Sequence, residues 1–223
     1  MKKKIYNKIG RLVGMLAITI LFVACDEHRD FLDTAMKPCH ILCTDGKVLS
    51  VSDFRESEKQ PIAVVFHINH NENTEGNGYA VYLWNLEPLA FADSIGVKQN
   101  TSADIAALDG FENTFALLDA RETSSPLAEK VFDMWRYGQS AYVPSVAQMR
   151  LLYHAKEQIN PVIKMCGGDT LSVEADDCWY WTSTEVNEQQ TAKAWLYSMG
   201  SGTIHDTPKI QAHKSRAIIT LRD

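Results

Sequence analysis

Beyond residue 24 the chain has no apolar run approaching the roughly 20 residues of a bilayer-crossing helix, so no membrane-spanning body is expected there. It also lacks the patterns of common catalytic centres, with no G-x-S-x-G elbow, no H-E-x-x-H pair and no glycine-rich phosphate loop. Glu174, Asp176 and Asp177 read as a solvated acidic turn rather than as the two separated carboxylates of a glycosidase. No catalytic residue, cofactor or enzymatic activity is therefore expected. Metal chemistry is thinly provided for. Cys39, His40 and Cys43 lack tight C-x-x-C spacing, the loop between Glu72 and Glu75 lacks the dense carboxylates of a calcium loop, and His67 and His70 point to opposite faces of an extended segment. No metal site is expected. Basic residues are in deficit, 22 Lys and Arg against 28 Asp and Glu, a net charge of -6 that disfavours nucleic acid.

What the chain does have begins at once. Lys2, Lys3, Lys4, Lys8 and Arg11 precede an apolar run over residues 12–24, interrupted only by Gly14 and Thr19, and Leu21-Phe22-Val23-Ala24-Cys25 closes it. That order is a signal peptide, and a cysteine directly after a small residue resembles the cleavage box of lipoproteins. Residues 1–24 are expected to be removed and Cys25 lipidated, at ~0.8 kcal/mol per buried CH₂, which anchors the protein without a spanning helix. Cleavage takes away five basic and no acidic residues, leaving 17 basic against 28 acidic and a net charge of -11. Asp26, Glu27, Asp30 and Asp33 follow, so residues 25–45 read as an acidic tether. An acidic cluster after the lipid favours the outer membrane and the cell surface, with the periplasmic face as the alternative. Four cysteines remain in a chain bound for an oxidising compartment. The sequence-local pairing is Cys39 with Cys43 and Cys166 with Cys178, the second being the candidate disulfide, although spacing does not decide connectivity.

The body over residues 46–223 reads as α+β. Residues 62–68 and 79–84 are β-branched and apolar, separated by an Asn- and Gly-rich stretch, which predicts two buried antiparallel strands. Phe111, Phe115 and Leu118 predict a short helix after the Asp109-Gly110 break. Ser125-Pro126 is an N-cap with proline at the first helical position, and Leu127, Val131, Met134 and Trp135 share one face before Gly138. Ser145 and Gln148 form a capping box, Met149, Leu152, Tyr153 and Ile159 continue the apolar face, and Asn160-Pro161 followed by Gly167-Gly168 stop it. Residues 178–183, 193–199 and 215–221 predict a small closing antiparallel sheet.

A string of motifs then runs in order: Tyr142-Val143-Pro144-Ser145, Leu152-Tyr153, Ile159-Asn160, Gly167-Gly168, Tyr180-Trp181-Thr182-Ser183-Thr184-Glu185, Ala194-Trp195 and Arg216-Ala217. It resembles the DUF1566 domain, also named for the C-terminal domain of a Legionella collagen-like adhesin, most strongly over residues 142–219. The resemblance implies a C-type-lectin-like fold in which two helices pack on small twisted antiparallel sheets, and roles in adhesion or ligand presentation.

Alternation along the strand containing Trp181 predicts that its indole packs in the core, with Glu185 as a structural carboxylate pairing with Arg216. Aromatics and hydroxyls for a glycan or protein ligand are expected on the strand of Trp195 and Tyr197 and in the following loop, with Ser201, Thr203, His205 and Asp206. Two readings of different classes result: a lipid-anchored surface binding protein, and a structural or accessory subunit of a surface appendage or envelope complex.

Overall fold

The strand run Ile62-Ala63-Val64-Val65-Phe66 is apolar at every position because both faces of its sheet are covered. In a computed structural model that describes residues 36–70, 76–134 and 141–222, it forms β3 (Pro61–Ile68), paired antiparallel with β4 (Gly78–Tyr82). Alternate side chains then divide between two cores, as a two-residue period requires. Ala63, Val65, Ala80 and Tyr82 join one cluster, while Val64, Phe66, Tyr79 and Val81 join the other.

Three elements precede this pair among the described residues. β1 (Ile41–Cys43) and β2 (Val48–Leu49) extend the sheet on the β3 side, and α1 (Val51–Glu56) follows, its Ser50 cap accepting from Asp53 N at 3.1 Å. Ile41, Leu42 and Cys43 are fully buried. The expected tether is thus too long by several residues: its last part is a core strand. Its first part, Cys25 and the signal segment lie outside the described residues, as do the loop residues 72–75 and Trp135 and Gly138 of the second predicted helix.

β5 (Leu86–Ala90) leaves the large sheet, and α2 (Gly110–Asp119) and α3 (Pro126–Phe132) follow. Ser125 caps α3 by accepting from Ala128 N at 3.2 Å, and Leu127, Ala128 and Val131 cover the sheet face that carries Val65 and Ala80. After β6 (Ala141–Tyr142), α4 (Val146–Met165) covers the opposite face with Val146, Met149, Leu152, Ile159 and Ile163. Its capping box is complete, with Gln148 N donating to Ser145 Oγ and Ser145 N donating to Gln148 Oε1 at 2.9 Å. Gly110 is required beside this cap, because a Cβ there would lie 2.3 Å from Gln148 Oε1. Pro161 does not end α4; the helix runs four residues further.

β7 (Trp179–Glu185), β8 (Lys193–Ser198) and β9 (Ile204–Pro208) form a three-stranded antiparallel sheet, and β10 (Ala212–Ser215) pairs with β5. The expectation that the closing segments make one sheet fails at β11 (Ile218–Leu221). That strand inserts between β4 and β6, giving the order β2-β1-β3-β4-β11-β6. Ile218 and Ile219 are buried on opposite faces, which only an interior position of the large sheet satisfies. The result is α+β with antiparallel sheets, and four helices rather than two among the described residues.

Candidate functional site

The end of α4 builds a concave feature. Gly167 takes φ 76°, and Gly168 approaches the end of β4 so closely that a Cβ would lie 2.5 Å from Leu83 O. Asp169 N then donates to Leu83 O at 2.8 Å, and Asn85 N donates to the Asp169 carboxylate at 3.1 Å. From the helix, Asn160 holds the chain on the other side, donating to Leu171 O at 3.1 Å and accepting from Leu171 N at 2.8 Å. Ser172 N donates to the Tyr180 hydroxyl at 3.2 Å. Between these ties lies an open groove of about 800 Å³, lined by Asn85, Glu157, Asn160, Lys164 and residues 168–174 and 177.

Its chemistry is dominated by oxygen acceptors, with the Lys164 ammonium as the cation of the lining and neither His nor Cys among the lining residues. Asp177 pairs with Lys214 at 2.5 Å, and that hydrogen bond holds its carboxyl below the usual range. The Asn85 side-chain oxygen is buried without a partner. Behind the groove the fully buried Arg216 donates through Nη2 to Asp169 O, while its Nε and Nη1 have no partner. Burial pushes this guanidinium down to about 10, against the opposing influence of Tyr180 and Asp169. Such a lining suits a hydroxyl- or amide-bearing ligand and repels an anion.

The residues expected to bind a ligand do not converge there. Trp195 lies opposite Asp206 and Tyr197 opposite Ile204, whereas His205 lies opposite Leu196, on the other side of the small sheet. Tyr197 is buried against Tyr153, with ring centroids 6.2 Å apart, and burial raises its phenol while Arg150 opposes the rise. Asp206 is neutralised by Lys193. His205 packs edge-on against Trp179 at 5.9 Å. Ser201 and Thr203 are exposed at the hairpin tip and bond each other at 2.8 Å. Trp195 is half-buried, and its indole N–H is buried without an acceptor.

Two structural pairings differ from expectation. Glu185 is bonded not to Arg216 but to Lys209, and both are fully buried. Register explains it: Glu185 ends β7 opposite Ala194, where the chain leaving β9 delivers Lys209, while Arg216 follows β10 and points toward Asp169. Cys166 and Cys178 are unbonded and belong to different surroundings, Cys166 beside Ile41 and Cys43, Cys178 against Ser198 Oγ at 3.3 Å. Trp181 is fully buried, with its indole donating to Leu89 O at 3.0 Å and its ring edge-on to Phe91. Among the described residues no three His, Cys, Asp or Glu side chains converge as metal ligands, and no helix is long and apolar enough to cross a membrane. The groove itself had a sequence signal in Asn160-Pro161 and Gly167-Gly168, read there only as helix stops.

No family model and no curated protein matches the sequence. The fold is similar to that of a fimbrial protein from Bacteroides ovatus, with a TM-score of 0.67, 15% identity, and coverage of 83% of this chain and 49% of that one. The chain therefore spans about half the length of that fimbrial protein.

Proposed function

We propose that the chain is a structural or accessory subunit of a bacterial surface appendage, exported to the cell surface and held in the outer membrane by a lipid on Cys25. The observation that carries the proposal is the shared fold with half of a fimbrial protein over 83% of this chain. The basic start, the apolar run and Leu21-Phe22-Val23-Ala24-Cys25 support export and anchoring. The C-type-lectin-like character of residues 142–219 is part of the same reading and rests on the motif order. The test is purification of the tagged chain from intact cells after surface cross-linking, with immunogold microscopy. Recovery in a fixed ratio with filament proteins, and label along or at the end of filaments, is expected. A monomer recovered alone from a cell that makes such filaments sinks the idea.

A second reading, direct recognition of a glycan or protein, is favoured by one observation, the oxygen-lined groove at the end of α4. Its ligand would contact Asn85, Asn160 and Ser172 rather than the β8–β9 hairpin. Saturable binding of a neutral saccharide on a glycan array, lost in Asn85→Ala, would support it; binding lost only in Trp195→Ala would refute the groove as the site.

A further inference from the structure

Three cysteines lie along the seam where β1 passes α4. At one end the Cys39 thiol donates to Gln158 O at 3.6 Å. Cys39 turns the chain at φ 70° into β1, which ends at Cys43, while α4 runs past Gln158 to its cap at Cys166. At that end Cys166 rests on the small apolar cluster of Ile41, Cys43 and Leu49, with both thiols unbonded. Burial and, after it, the neighbouring Cys43 push the Cys166 thiol up to about 11. Cys178 is engaged elsewhere, with Ser198 Oγ and Ala175 O.

We propose that Cys43 and Cys166 are the disulfide pair of the exported protein, a bond that fastens the first described strand to the end of α4. The inference rests on the export reading for its oxidising compartment. An exported dithiol oxidase supplies the oxidant as its own disulfide. One chain thiolate attacks that disulfide and forms a mixed disulfide, releasing one oxidase thiol. The second chain thiolate then attacks the chain sulfur, releasing the other. The S–S bond of the oxidase is broken and that of the chain formed; two electrons and two protons end on the oxidase dithiol. The reaction belongs to the folding chain, because burial disfavours the attacking thiolates once the cluster has closed.

The test uses the full chain extracted from its own envelope with a thiol-blocking maleimide present, digested without reduction. A peptide linking Cys43 to Cys166 is expected, with label on Cys39 and Cys178. A second arm refolds the purified chain in glutathione-disulfide buffer, where the same link should form. Reduction should lower the melting temperature of the linked protein by roughly 10 °C and leave Cys166→Ser unmoved. Label on both Cys43 and Cys166 in the envelope sample, or a link to Cys39 or Cys178, overturns the proposal. A chain recovered in the cytosol that links only in the glutathione arm overturns the export reading and leaves the geometry standing. A chain recovered in the envelope with all four thiols labelled in both arms overturns the bond alone.

Discussion

Lys209 and Glu185 meet in a site from which water is excluded on both sides, and they are not equal partners. Glu185 also accepts from Gln99 N at 2.9 Å, Thr101 N at 3.1 Å and Thr101 Oγ1 at 3.0 Å, so it ties the loop before α2 to the end of β7. Lys209 donates besides to Val97 O and Gln99 Oε1, at 3.4 and 3.3 Å, and lies 5.5 Å from the Phe91 ring centroid.

Breaking a buried pair from one side costs about 3–5 kcal/mol, since a bare charge remains. Glu185→Leu should exceed Lys209→Met by roughly 2 kcal/mol in urea unfolding, because it also orphans three donors. Equal losses would show that the charge pair alone matters.

At the other end of α4, Ser145 is buried and its hydroxyl donates to Ala107 O at 2.7 Å while capping the helix. Ser145→Ala is expected to cost about 1–2 kcal/mol. Gly110→Ala should cost more than Ser145→Ala, since its Cβ meets Gln148 Oε1, Val143 O and Ser145 N within 2.8 Å. Denaturant midpoints of the two variants decide the order.

Asn160→Ala removes both bonds to Leu171 and should loosen residues 170–177 without melting α4. The readout is hydrogen exchange. Faster exchange at Leu171 with unchanged protection at Leu152 is expected, and equal loss at both would mean that the groove wall and the helix are one cooperative unit.

Asp177 and Asp206 both have carboxyl groups held below 3.8, foremost by hydrogen bonds from Lys214 and Lys193. A depressed carboxyl stabilises the folded state fully above its unfolded value and loses that contribution as pH falls toward the folded value. Stability should therefore be level above about pH 5 and decline below about pH 4. Both carboxylates reach solvent, so the decline is small, and Asp177→Asn should flatten it; an unchanged acid slope in that variant would assign it to other carboxylates.

Local chemistry was legible where it is self-contained. Ser145 with Gln148, Ser125 with Pro126, and the apolar run of β3 each announce an element, because the cap or the pattern lies within a few residues. The stop begun at Asn160-Pro161 is completed only at Gly167-Gly168, since proline loses only one helical bond when the following turn is held by Ile163 and the Gly168 contact with Leu83. The partners of Glu185 and Cys166 were not legible. Both are set by strand register and by the passage of α4 over β1, which no neighbouring residue encodes. The division of the hairpin ligand set was not legible for a related reason: Trp195 and His205 belong to opposite sides only once β8 and β9 are in register.

The position of β11 between β4 and β6 bears on how the molecule is made. Val81 pairs with Ile218, so the inner edge of β4 stays open while all the chain between them is synthesised. β3 and β4 pair early through a short connection, but their sheet cannot close until the last strand arrives, and topologies with such distant pairings fold slowly and expose sticky edges meanwhile. The burden on the nascent chain is thus one of timing: a half-built sheet must be kept from its neighbours until, among the described residues, six more strands and three helices have been made and β11 arrives.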